Sequence, residues 1–170
     1  IVPLLRGRGL EILLEPGRQI ACNAGVLLTA VQYVKTGGDK TFLIVDAAMT
    51  DLIRPALYES FHFIWPVRSA APPERSAGYA PAGCVTMDVV GGVCESSDFL
   101  AVERALPPTA RGELMAVFSA GAYGHVMSSQ YNSRPRSPEV LVDGDRWCVI
   151  RRRETYDDLV APERPEQLPR

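Results

Sequence analysis

A basic surplus is missing from this chain. Among its 170 residues, 18 Lys and Arg stand against 20 Asp and Glu, a formal net charge of −2, with the arginines scattered among the acids. A phosphate backbone finds no stripe to grip, which argues against nucleic acid as a partner. Long apolar runs are missing too: no window approaches 18 uninterrupted apolar residues, and the start does not combine a charged head, an apolar run and a small-residue cleavage site. The expectation is a cytoplasmic protein without a membrane partner. Cys22, Cys84, Cys94 and Cys148 lie far apart, form no CxxC, and meet only two histidines in the chain, so spacing supports neither a metal site nor a disulfide scaffold. Free thiols in a reducing compartment are expected instead. Lysine is nearly absent as well, with Lys35 and Lys40 the two in the chain.

What is present is strand-forming sequence. A hydrophobic content of 46% can bury one good core, and 170 residues do not suffice for two large domains. The first residue is Ile1 rather than Met, and "LEILLEPGR" reads as an apolar strand, so the chain is expected to be the back part of a longer one. "QIACNAG" suits one or two helical turns. Residues 25 to 35 and "TFLIVDAAM" read as two antiparallel strands joined at Gly37-Gly38. "TDLIRPALYESFH" predicts a short helix capped by Thr50 or Asp51, with Pro55 in its first turn. "FIWPV" is a further strand, and residues 68 to 83, rich in Pro, Gly, Ser and Ala, predict a mobile loop. Strands follow around "MDVVGGVCESSD" and at "GELMAVFSAGAYGH"; "EVLVDGDRWCVIRRR" predicts a hairpin with Asp143-Gly144 at its turn. "ETYDDLV" adds a helical turn, and the tail is expected to fray. Six or more strands with short connections favour a mainly β barrel or sandwich.

Taken in order, "LLEPGR", "AGVLLTAVQYVK", "FLIVDAAMTDLIRPALYES", "DVVGGVCESSDFLA", "AGAYGHVMSSQYNSRPRSPEVLVDG" and "VIRRRETYDDL" resemble the C-terminal part of the diaminopimelate decarboxylase family, over residues 10 to 160. The resemblance implies a pyridoxal 5'-phosphate enzyme of the alanine racemase-like fold. A (β/α)8 barrel would carry the cofactor on a lysine, and a C-terminal β-barrel of Greek-key type would follow it. On this reading residues 1–24 hold the last strand of the barrel, 25–160 the β-barrel domain and 161–170 a frayed tail. Neither Lys35 nor Lys40, at strand ends beside a glycine turn, matches the family's cofactor lysine. The covalent anchor is therefore not in this chain, which alone is not expected to decarboxylate anything.

Bound pyridoxal phosphate draws electron density from the α-carbon as carbon dioxide leaves, so the protein must position substrate, bind phosphate and deliver one proton. A substrate whose far end carries both an ammonium and a carboxylate needs an acid and arginines together. Glu15, Gly17 and Arg18 of "EPGR" read alone as an ordinary turn with an exposed arginine; the resemblance makes Glu15 and Gly17 cofactor contacts and Arg18 a contact to cofactor and substrate. Arg54 and Tyr58 are four apart and share a helix face. Alone, Arg54 would be a solvated side chain; the resemblance implies that both bind substrate. Tyr123 reads either as a core tyrosine or, between small residues, as the implied contact to phosphate and substrate. Cys94 reads as a small buried hydrophobe or, by the resemblance, as the catalytic acid. Its neighbours Glu95 and Asp98 would keep the proton on sulfur, and Glu95 would meet the substrate's distal ammonium.

The function implied is conversion of meso-diaminopimelate to lysine and carbon dioxide by a homodimer, the "VCESSD" loop reaching the partner's site with Gly91-Gly92 freeing the backbone. One alternative is a decarboxylase of ornithine, arginine or a carboxylated polyamine precursor, although those relatives usually place Asp where this chain has Glu95. The other is a non-catalytic homologue acting as a binding module.

Overall fold

The computed structural model of the chain describes residues 2–69 and 73–163. Short helices α1 (Val2–Leu5) and α2 (Gly17–Ala21), with a 3-10 turn at Cys22–Ala24, precede the strands. Residues 6–16 form no strand, and Leu10, Leu13 and Leu14 are exposed. An isolated strand cannot satisfy its backbone, and nothing in the described chain pairs with this one.

Strand β1 (Leu27–Gly37) organises the sheet because its two halves take different partners. Leu27–Ala30 pair antiparallel with β6 (Leu114–Val117), while Val31–Gly37 pair antiparallel with β2 (Lys40–Val45) across the expected glycine turn. A register shift between Val31 and Tyr33 falls where the partner changes, and such a bulge bends a strand. The full order is β3-β6-β1-β2-β4-β5, with β3 (Ile64–Pro66), β4 (Val85–Val90) and β5 (Phe99–Leu106) added to the three already given.

One apolar cluster receives side chains from all six strands: Val31, Leu43, Ile64, Val89, Leu100 and Val117 among them. A sheet whose every strand feeds a single core is curled around it, the barrel-like form expected. Each fully buried aliphatic side chain there contributes about 1.5–3 kcal/mol. Phe63 and Trp65 stack at 5.6 Å on the β3 side.

The residues 68 to 83, expected as a mobile loop, form no helix or strand where described; positions 70–72 lie outside the described residues. A separate hairpin, β7 (Glu139–Asp143) and β8 (Arg146–Arg151), turns at Gly144 in the left-handed region, as its Asp-Gly predicted. Helix α3 (Arg54–Tyr58) begins without a side-chain cap. Thr50 and Asp51 do not cap it: Asp51 accepts instead from the Ala48 amide at 3.0 Å and the Ser137 hydroxyl at 2.9 Å. Helix α4 (Tyr156–Val160) has a capping box between Thr155 and Asp158. Residues 164–170 of the expected frayed tail lie outside the described residues.

Strand direction places the loops that matter. Since β1 is antiparallel to both β2 and β6, and β2 is parallel to β4, strands β2, β4 and β6 run the same way. Their C-terminal loops, residues 46–53, 91–98 and 118–133, leave toward one end of the sheet.

Candidate functional site

The first of these loops leads into α3, whose first residue is Arg54. Its side chain is buried, 7% exposed, an unusual position for a cation that is ion-paired with no carboxylate among the described residues. Nη2 donates to the Ser60 hydroxyl at 3.1 Å, and the guanidinium carbon lies 5.8 Å from the Tyr58 ring centre and 5.6 Å from that of Tyr123. The helical spacing accounts for Tyr58. Tyr123 arrives from the loop after β6, with its backbone in the left-handed region at φ 58°. Both rings remain about half exposed, so two phenols and a guanidinium offer hydrogen bonds to an anion from outside.

The small residues beside Tyr123 serve chain packing. A Cβ on Gly121 would stand 2.1 Å from the Ala21 carbonyl oxygen, and one on Gly25 would stand 2.7 Å from the Gly121 Cα. They let the Tyr123 loop press against the segment that follows α2.

His62 lies close to this group and was not singled out in the sequence. It is buried, its Nδ1–H donates to the Phe118 carbonyl at 2.9 Å, and its Nε2 has no hydrogen-bond partner among the described residues. Burial first, then the charges of Arg54, Arg18 and Arg104, hold its pKa below the usual imidazole range, against the opposing effect of the Phe118 carbonyl. His62 is therefore neutral at pH 7. Arg18, Glu15 and Gly17 are all exposed; the Glu15 carbonyl accepts the Gly17 amide at 2.9 Å.

The second loop, 91–98, carries Cys94 and Glu95, both exposed. Glu95 accepts from the Ser97 amide at 3.4 Å and the Tyr131 hydroxyl at 3.3 Å. The Ser97 amide, ahead of Tyr131 and the Ser96 amide, holds its carboxyl below the usual range. Tyr131 is a second residue the sequence did not single out, since it faces Glu95 across 36 positions. The two oxygens of Asp98 accept from the Met49 and Val93 amides, each at 2.7 Å. Gly91 and Gly92 are not in the left-handed region, so conformational freedom does not explain them. At Gly91 a Cβ would come 2.5 Å from the Asp98 carboxylate and 2.7 Å from the Ala48 Cα, and close approach is its role.

The site residues thus fall into two groups. Arg54 lies against both Tyr58 and Tyr123, and its charge acts on the buried His62, as does that of Arg18. Cys94 and Glu95 form a second group with Tyr131. Among the described residues no hydrogen bond, ion pair or ring contact joins the two. Two concavities along β3 and β6 contain none of these side chains, and the Tyr58, Tyr123, Cys94 and Glu95 side chains are exposed. The exposed Tyr123 phenol and the Arg18 guanidinium are groups that could donate to the phosphate of pyridoxal phosphate, whereas the Gly17 amide is already bonded to the Glu15 carbonyl. A covalent anchor does not fit, because Lys40 is ion-paired with Asp88 at 2.8 Å and Lys35 lies exposed on β1.

Comparison with known proteins adds a family. Residues 20–121 match the model of the pyridoxal-dependent decarboxylase C-terminal sheet domain. The chain is 52% identical over 160 residues to the diaminopimelate decarboxylase of Pseudomonas aeruginosa, covering 94% of this chain and 36% of that protein. It is 50% identical over 159 residues to the one of Aquifex aeolicus, with the same coverage. A crystal structure of diaminopimelate decarboxylase from Helicobacter pylori complexed with L-lysine superposes with a TM-score of 0.77 at 41% identity, covering 95% of this chain and 37% of that one. The chain therefore spans little more than a third of the length of the relatives it matches.

Proposed function

We propose, from the premise that this chain belongs to the pyridoxal-dependent decarboxylases as their C-terminal sheet domain, that it forms the C-terminal part of a cytoplasmic diaminopimelate decarboxylase acting on meso-diaminopimelate to release lysine and carbon dioxide. The observation that carries the reading is the half-identity to proteins of that name across nearly the whole chain. The buried Arg54 between two tyrosines agrees with it, because a guanidinium without a carboxylate partner among the described residues is available to a substrate carboxylate. Residues 1–24 would complete a (β/α)8 barrel that brings the cofactor lysine, residues 25–160 make the sheet domain, and 161–170 trail from it.

Within such an enzyme each residue has a definite task. Arg54 and Tyr58, with Arg18, hold the substrate's distal carboxylate by forked and single hydrogen bonds. Glu95, ionised well into acid, meets the distal ammonium. Tyr123, Glu15 and Gly17 seat the cofactor, and Cys94 carries the proton delivered to the α-carbon. The lack of a direct contact between the Cys94 group and the Arg54 group among the described residues is compatible with a homodimer in which each site takes one group from either subunit.

The test is to assay the chain joined to its barrel part for carbon dioxide release from meso-diaminopimelate, ornithine and arginine. A specificity constant favouring diaminopimelate by at least about a hundredfold supports the reading. Preference for ornithine or arginine, or no turnover with cofactor bound, replaces it with one of the two alternatives.

A further inference from the structure

Asp98 is buried at 5% exposure, yet it has no cation partner among the described residues. Its charge is held by two amides from different segments: Oδ2 accepts from Val93, inside its own loop, and Oδ1 from Met49, in the loop after β2. Two 2.7 Å bonds to one carboxylate are strong, charge-assisted contacts. Further contacts repeat the link. The Ser97 hydroxyl points at the Met49 sulfur at 3.9 Å, and the Gly91 amide donates to the Asp98 carbonyl at 3.2 Å, closing the loop on itself. From Met49 the chain runs through a tight turn, in which the Asp51 and Leu52 amides donate to the Ala48 carbonyl, to fully buried Leu52 and then Arg54. One carboxylate therefore fixes the Cys94–Glu95 loop against the segment that carries Arg54.

We propose that Asp98 is a positioning residue for the decarboxylation, setting the distance from which Cys94 and Glu95 reach their reaction partner. It touches no reacting atom and acts through Val93 and Met49. The proposal rests on the function given above, because misplacing a proton donor by about 1 Å can cost on the order of 10²-fold in rate. Gly91 belongs to the same device, since any Cβ there would displace the carboxylate.

The test uses the complete enzyme with wild-type, Asp98→Asn and Gly91→Ala forms. In Asn the amide nitrogen faces a backbone N–H, so one of the two bonds is lost while shape is kept. The expected result is a fall in kcat of roughly 10- to 100-fold, a smaller rise in KM through Glu95, and an unchanged far-ultraviolet spectrum. Gly91→Ala should act alike, and the double variant should be scarcely worse than either single one. Hydrogen exchange resolved to single amides should show Met49 and Val93 protected in the wild type and faster in both variants. Fast exchange of these amides in the wild type overturns the proposal, as does wild-type kcat in folded Asp98→Asn. If Asp98→Asn is recovered only unfolded, Gly91→Ala decides, and wild-type kcat there sinks the idea. Should the wild-type enzyme turn over no diaminopimelate, the functional reading fails by itself, while exchange at Met49 and Val93, with the alkylation rate of Cys94, still reports whether Asp98 holds the loop.

Discussion

The guanidinium carbon of Arg54 stands 5.8 Å from the ring centre of Tyr58 and 5.6 Å from that of Tyr123, although 65 residues separate Tyr58 from Tyr123. Arg54→Lys keeps the charge but loses the planar fork, so it is not conservative here. In the complete enzyme Arg54→Ala should weaken diaminopimelate by about 2–5 kcal/mol in kcat/KM, and Arg54→Lys should recover only part of this. Steady-state kinetics check both; an unchanged specificity constant removes Arg54 from the site.

Glu95→Gln should lower kcat/KM for diaminopimelate by at least roughly tenfold, as the distal ammonium loses its acid. Tyr131→Phe should have a smaller effect in the same direction, because it removes only the hydroxyl that orients Glu95. Because the folded carboxyl titrates below its usual range, the effect of Glu95→Gln should persist into mildly acidic buffer.

The proposed sharing of Cys94 between subunits leads to a complementation experiment. Full-length variants lacking either the barrel lysine or Cys94 are each inactive. Mixed and allowed to exchange subunits, they should recover roughly a quarter of wild-type activity, since half the dimers are mixed and each has one intact site. Failure to recover, with exchange verified independently, places Cys94 in its own chain's site.

Acid stability should depend on Asp88. Burial alone would raise its pKa, but the Glu103 amide at 2.7 Å and Lys40 at 2.8 Å more than offset this and hold it below the usual carboxylate value. A folded pKa below the unfolded one gives stability that is complete above the ordinary carboxylate range and lost as pH falls through the folded value. Asp88→Asn should therefore cost about 1–3 kcal/mol at neutral pH, read from urea midpoints, with the gap closing in acid. A gap that is the same at both pH values contradicts this.

Local chemistry made much of the fold legible. The glycine turn after β1, the Asp-Gly hairpin and the helical turn in "ETYDDLV" are decided by neighbours within four residues, and they formed as read; the Thr155 capping box was not singled out. The segment at residues 6–16 did not become a strand, because strand character requires a partner and propensity cannot supply one. Nor could the parallel pairing of β2 with β4 be read, as Ile44 and Val90 are 46 positions apart and no turn residue marks such a pair. That pairing brings the Arg54 and Cys94 loops to one end. The residue types of the site were visible through the resemblance, whereas His62, Tyr131 and the work of Asp98 depend on contacts made across the sheet.

The two tryptophans differ sharply in exposure: Trp65 is 4% exposed within the core, and Trp147, on β8, is 70% exposed. The molecule thereby contains an internal reference and a reporter. Docking of another surface on the β7–β8 hairpin would shift the emission of Trp147 to shorter wavelength and shield it from iodide, while Trp65 stayed constant. Titrating the chain with its barrel part, or diluting the assembled enzyme, would turn that colour change into a binding curve without any label.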